Sequence, residues 1–187
     1  MIDDKVLVSR VLGGDTQAFR LLIRQHERLV LHMVGRLIKN EAECEELCQD
    51  VFVRVYQKLG DFNFGSKLST WIGTIAYRYA INALRKQKHA WSDIPDEEQF
   101  SSSFIEESNP ETLVAEEDSD AFVMKLMNLL PPQYKVVLTL YHIEGMTYPE
   151  IGEITGMPEG TVKSYLFRAR NLLKEKVKKY LGKEELL

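Results

Sequence analysis

Six residues near the C-terminus have the types and spacing to grip DNA: Lys163, Ser164, Phe167, Arg168, Asn171 and Lys174. On a helix turning about 100° per residue they share one side, while Val162, Leu166, Ala169 and Leu173 fall on the other. Five of the six donate hydrogen bonds suited to phosphates or base edges. The sixth, Phe167, is an aromatic ring where solvent should be, and contact with a thymine methyl gives it a use. A second constellation lies upstream. Phe62, Phe64, Trp71, Tyr77 and Tyr79 cluster in and just after a glycine-broken loop, and Arg78, Arg85, Lys86 and Lys88 follow. Rings interleaved with cations suit single-stranded DNA, whose unpaired bases stack at ~1–3 kcal/mol each while the cations hold phosphates.

Catalytic chemistry has less support. His26, His32, His89 and His142 form no metal-ligand spacing, and His26 sits on an apolar helical stripe, where a buried, hydrogen-bonded imidazole is expected. Cys44 and Cys48, one helical turn apart, lack the second pair of a zinc site and read as packing residues. No phosphate-binding glycine loop, Ser-His-Asp set or paired catalytic carboxylates is present. The expectation is a protein that is not an enzyme and uses no cofactor and no metal.

The DNA-facing residues need elements to carry them. Thr147-Tyr148-Pro149-Glu150 fits a capping box that starts a short helix ending at Gly156, and Pro158 suits the first turn of the next. Two helices joined by a short glycine-containing turn make a helix-turn-helix. Upstream of it, Pro131-Pro132 opens a helix through Tyr134, Val137, Leu138 and Tyr141, preceded by one around Phe122 to Leu130. The N-terminal block is helical by the same test. Apolar residues recur at three- and four-residue steps from Phe19 to Leu37 and from Cys44 to Leu59, and Ser69 or Thr70 caps a third helix from Trp71 to about Lys88. On that third helix the wheel places Ile75, Ala76, Tyr79 and Ala83 inward and Tyr77, Arg78, Arg85 and Lys88 outward.

The chain has 187 residues and a formal net charge of -4, which excludes a uniformly basic coat for nucleic acid. That average conceals three unlike segments. Residues 1–90 hold 14 Lys and Arg against 10 acids, and residues 121–187 hold 10 against 7; residues 91–120 hold 11 acids and no Lys or Arg. The middle segment, with Ser101-Ser102-Ser103, Pro95 and Pro110, has too little apolar surface to offset its own ordering. The predicted fold is therefore all-α: a helix bundle over 1–90, an acidic flexible linker over 91–120, and a helix-turn-helix domain over 121–187. No apolar run approaches the ~20 residues of a membrane span, and the start, MIDDKVLVSR, has acids where a signal peptide has a basic flank. A cytoplasmic protein without membrane insertion is expected.

The run ECEELCQDVFVRVYQKLGDFNFGSKLSTWIGTIAYRYAINALRK resembles region 2 of bacterial extracytoplasmic-function (ECF) sigma factors, and LPPQYKVVLTLYHIEGMTYPEIGEITGMPEGTVKSYLFRARNLLKEKV resembles their region 4. The resemblance implies a dissociable subunit of core RNA polymerase that recognises the minus-35 and minus-10 promoter elements and opens the DNA. Glu45, Glu46, Gln49, Asp50, Phe52, Val53 and Tyr56 match the helix that docks on the clamp coiled coil of the largest subunit; region 4 is implied to meet the flap region. Phe62 to Ser69, including Phe64, Ser66 and Lys67, matches the loop that holds an extruded minus-10 base, with Trp71, Tyr77, Arg78, Arg85 and Lys86 following. Thr161, Lys163, Ser164, Phe167, Arg168 and Asn171 are implied by the resemblance to face the minus-35 duplex. Leu68 stands where the family usually has an aromatic, and Thr74 and Arg78 where Arg and Asn are common.

Elements separated by roughly 16 base pairs lie about 55 Å apart at ~3.4 Å per step. Thirty linker residues reach ~100 Å extended but average ~30 Å relaxed, so the linker must stretch to serve both. An anti-sigma factor is a further partner of the kind the resemblance allows. The competing reading is an autonomous helix-turn-helix regulator whose N-terminal bundle binds a ligand or dimerises; the base-stacking loop and the lack of a dimer seam favour the polymerase subunit.

Overall fold

The computed structural model describes residues 3–86 and 119–184; the acidic segment lies outside the described residues. Eight α-helices account for nearly all of the described chain, and it contains no strand. They are α1 (Asp4–Leu12), α2 (Thr16–Gly35), α3 (Glu41–Lys58), α4 (Leu68–Lys86), α5 (Ser119–Leu129), α6 (Pro132–Leu138), α7 (Tyr148–Thr155) and α8 (Glu159–Glu184).

Local chemistry sets the boundaries. Asp3 caps α1 through the Lys5 amide at 2.8 Å, Asp15 caps α2 through Gln17 at 2.9 Å and Ala18 at 3.1 Å, and Asn40 caps α3 through Glu43 at 3.0 Å. Each carboxylate or amide oxygen satisfies donors that the first turn would otherwise leave open. The Ala18 amide first, and Arg10 second, hold the Asp15 carboxyl below its usual range, and Arg10, at 2.7 Å from that carboxylate, staples α1 to the start of α2. Helix α4 begins at Leu68, three residues before the sequence expectation. Leu68 and Thr70 are fully buried, so Thr70 serves as first-turn packing rather than as a cap.

In the C-terminal half, Pro132 occupies the first turn of α6 as expected, but the helix widens into a single π-turn over Thr139–Ile143 before the chain turns at Gly145. Gly145 and Gly156 adopt φ of +65° and +75°, the left-handed region open to glycine at a helix end. The α7–turn–α8 unit is the expected helix-turn-helix, with the Pro158 carbonyl accepting from the Thr161 and Val162 amides.

Packing joins the two halves. Leu22, Val30, Met33, Ile72 and Ala76 of the bundle and Val137, Leu140, Ile151, Ile154, Val162 and Leu166 of the C-terminal half belong to one continuous buried apolar cluster. Helix α4 lies on α2 and α3 with one side and against α7 with another.

Candidate nucleic-acid interface

Helix α8 sorts its faces as the wheel requires. Val162, Leu166 and Ala169 are buried and Leu173 is half-buried, with Leu172, not expected on that stripe, buried beside them; Lys163, Ser164, Phe167, Arg168 and Asn171 are exposed and Thr161 is half-buried. Phe167 is 66% exposed, the most open large apolar side chain among the described residues. Lys163 pairs with Glu159 one turn earlier at 2.7 Å, which raises its pKa and keeps the ammonium charged and aimed along the exposed face.

Beside this face lies a cation–aromatic group that sequence reasoning missed. Tyr141 and Tyr148 stack at 5.2 Å with planes 16° apart. Lys163 sits over Tyr148 at 5.3 Å, Arg170 over Tyr141 at 5.1 Å, and Arg170 Nε donates to His142 Nε2 at 3.0 Å. Desolvation, reinforced by the Arg170 charge, lowers the His142 pKa and keeps that ring nitrogen an acceptor. Three segments meet here, the π-turn, the start of α7 and α8. The only signal for them was the number of aromatic and basic residues in the block.

The upstream loop is built around rings. Phe62 and Phe64 centroids are 4.7 Å apart, and Phe62 and Trp71 are 5.4 Å apart. Phe62 is buried beneath the loop, Trp71 is half-buried, and Phe64 is 42% exposed. Phe64 also holds φ at +60°, the only non-glycine residue at positive φ among the described residues. A bulky side chain in the left-handed region carries strain that the surrounding structure must impose, and such strain gathers at binding sites. Ser66 is half-buried and Lys67, Arg78, Arg85 and Lys86 are exposed.

Tyr77 departs from its expected outward position and is only 9% exposed. The C-terminal half covers that side of α4, and Tyr165 of α8 is close enough to help raise the Tyr77 pKa, behind the larger effect of burial. A helical wheel drawn for the bundle alone has no means of showing this lid.

On α3, Glu45, Glu46, Gln49, Asp50, Val53 and Tyr56 are exposed, an acidic face with two apolar residues more than half open. Phe52 is turned into the core at 9% exposure, and Tyr56 rests on Phe19 at 4.9 Å. A cleft of 440 Å³ beside this face is lined by Glu43, Glu46, Leu47, Asp50, Tyr79, Asn82, Ala83 and Lys86. Cys44 and Cys48 point toward the bundle, and burial pushes the Cys48 thiol up to about 12, leaving it a protonated packing group. His26, expected to be hydrogen-bonded, has its Nε2 buried without a protein partner; desolvation lowers its pKa, so the ring is carried neutral. Among the described residues no group of three or more His, Cys, Asp or Glu is placed to hold a metal ion.

Two family models match parts of the chain. Residues 22–90 match the family described as Sigma-70 region 2, and residues 123–173 match Sigma-70, region 4. The chain is 34% identical over 182 residues to the ECF RNA polymerase sigma-E factor of Escherichia coli (strain K12), covering 94% of this chain and 95% of that one. It is 31% identical over 176 residues to the RNA polymerase sigma-H factor of Pseudomonas aeruginosa, covering 91% of each. Among solved structures it is similar to the sigma factor RpoE in complex with the anti-sigma factor NepR from Bartonella quintana, with a TM-score of 0.63, 25% identity and coverage of 86% of this chain and 96% of that one. The fold is also that of CnrH in complex with the cytosolic domain of CnrY, at a TM-score of 0.62, 19% identity and coverage of 94% and 97%.

Proposed function

The chain belongs to the ECF sigma factors of the sigma-70 family, and from that premise we propose how its surfaces divide the work of a promoter-specificity subunit. Such a subunit binds core RNA polymerase and directs initiation by recognising promoter DNA. The family is one of initiation subunits rather than enzymes, acting in the cytoplasm beside the polymerase, and no described helix is long and apolar enough to cross a membrane.

The observation that carries the assignment is the open recognition face of α8. Its donors and Phe167 stand clear of the core on a helix of 26 residues, the form that enters a major groove. Thr161, Lys163, Ser164, Phe167, Arg168 and Asn171 read the minus-35 duplex. The stacked Tyr141–Tyr148 pair, with Lys163 and Arg170 over its rings, supports the helix from the side and presents cations toward the backbone, where contacts position without specifying.

The minus-10 strand is served by the upstream loop. Phe64, held in a strained backbone and already half open, is the ring poised to stack on an unpaired base, with Phe62 and Trp71 as its platform. Ser66, Lys67, Arg78, Arg85 and Lys86 take the phosphates, and Tyr77 joins them once uncovered. The α3 face bearing Glu45, Glu46, Gln49, Asp50, Val53 and Tyr56 docks on core polymerase, with Phe52 setting its shape from behind. The test is pull-down of core RNA polymerase followed by run-off transcription. An autonomous regulator would bind its DNA without core and give no core-dependent transcript.

A further inference from the structure

Lys135 of α6 is a buried cation without a counter-charge. It is only 8% exposed, and among the described residues its ammonium has no hydrogen bond or ion pair; what acts on it is desolvation and the repulsion of Lys39 and Arg36. Lys176, the other buried lysine among the described residues, has a partner. A charge taken out of water is costly unless a group of opposite charge or several acceptors meet it.

Two further cations converge on the same place. Arg36 closes α2 and is half-buried. Its Nη1 donates to Asn128 Oδ1 at 3.4 Å and its Nη2 to Met124 Sδ at 3.5 Å, both neutral acceptors on α5, while its Nε is buried with no acceptor at all. Lys39, three residues on, is exposed at the rim. Repulsion between charges is screened beyond about 8–10 Å in ordinary salt, so the influence of Lys39 and Arg36 on Lys135 puts the three in one neighbourhood. No carboxylate offsets them. Burial alone acts on Arg36, Glu41 next to Lys39 in sequence is exposed, and Glu144 is engaged by His32 Nδ1. The end of α2, α5 and α6 therefore hold three like charges together at a cost to stability.

We propose that Lys135, Arg36 and Lys39 form a binding site for a small phosphate-type anion, a diphosphate group either free or carried by a nucleotide. A single phosphate brings at most about two negative charges, and a diphosphate brings more, which suits three cations. The N–H groups that Arg36 has not used and the three donors of Lys135 fit phosphate oxygens, each in a charge-assisted hydrogen bond. Recessed as Lys135 and Arg36 are, they admit a narrow anion and not the broad rod of a duplex, whose phosphates would stop at Lys39. None of the three belongs to the faces assigned to promoter DNA or to core polymerase.

The test is isothermal titration calorimetry of the full chain at about pH 7 with sodium diphosphate, ADP and sodium sulfate as separate probes, the ionic strength held constant with sodium chloride. Diphosphate is expected to bind with a Kd of about 1 mM or tighter and sulfate at least about tenfold more weakly. Equal affinity for ADP and diphosphate supports the free anion as ligand, and tighter binding of ADP supports a nucleotide. Lys135→Met should weaken diphosphate about tenfold, although removing an unpaired buried charge leaves the folded protein no less stable. Lys39→Gln, a change at the surface that leaves packing alone, should weaken it about threefold, and Lys58→Gln, a charge removed elsewhere, less than about twofold. Diphosphate binding no tighter than sulfate overturns the proposal. So does full affinity in folded Lys135→Met, or in Lys39→Gln should the methionine variant fail to fold. No polymerase or DNA enters the measurement, so its outcome is independent of the sigma-factor reading.

Discussion

Glu150 joins two kinds of interaction that substitution can separate. Its Oε2 accepts from the Thr147 amide at 2.8 Å and from the Thr147 hydroxyl at 2.7 Å, closing the start of α7, while its Oε1 pairs with Lys67 at 2.8 Å. The Lys67 hydrogen bond first, and the Thr147 amide second, hold the carboxyl down to about 2. Glu150→Gln keeps an amide oxygen able to complete the capping box but removes the charge, so it loses the ion pair, about 0.5–1 kcal/mol for a pair whose lysine is largely solvated. Glu150→Ala also loses the cap, adding about 1 kcal/mol. For a chain of this length the two steps lower Tm by about 2 °C and then about 3 °C more. A carboxyl depressed in the folded state contributes stability above its unfolded pKa near 4.5, and loses that contribution as pH falls toward about 2. Thermal unfolding of parent and Glu150→Gln should therefore differ constantly from pH 7 to about 5 and converge as pH approaches 2. A Glu150→Gln deficit that stays unchanged at pH 2.5, or that persists undiminished in a Lys67→Met background, would refute the ion-pair reasoning.

Other surfaces give sharper functional readouts. Arg168→Ala should cost about 1–3 kcal/mol of minus-35 binding with relaxed selectivity at one base pair; an unchanged selectivity with a reduced salt slope makes Arg168 a phosphate contact instead. Phe64→Ala should leave core binding and duplex binding intact while weakening promoter opening, read as reduced permanganate reactivity of unpaired thymines; wild-type reactivity would return Phe64 to ordinary packing. Lys135, buried at 8% exposure with Lys39 and Arg36 nearby, has its pKa lowered to about 8, first by desolvation and then by those charges. A lysine depressed on folding destabilises the protein below that pKa and recovers as pH rises from about 8 to 10.5, so Lys135→Met should stabilise by about 1–3 kcal/mol at pH 7 and lose that advantage by about pH 10.5, measured by urea unfolding.

The local features of this chain are written in short-range signals. Three- and four-residue apolar steps marked α2, α3 and α8, Thr147 and Glu150 marked the start of α7, Gly156 its end, and the segregated donors of α8 marked its solvent-facing side. Each depends on residues within a turn or two of one another, where backbone geometry fixes which side chains share a face. Two features lie beyond that reach. The cation–aromatic group of Tyr141, Tyr148, Lys163 and Arg170 forms only when the π-turn, α7 and α8 meet. Tyr77 is outward on a wheel for α4 yet buried in the folded chain, because Ile154, distant in sequence, seats on Gly73 and brings α8 with it. From its sequence the protein has two helical halves with segregated polar and apolar faces. Whether those faces are open or covered is decided by contacts between residues separated by the acidic segment, for which periodicity and capping carry no information.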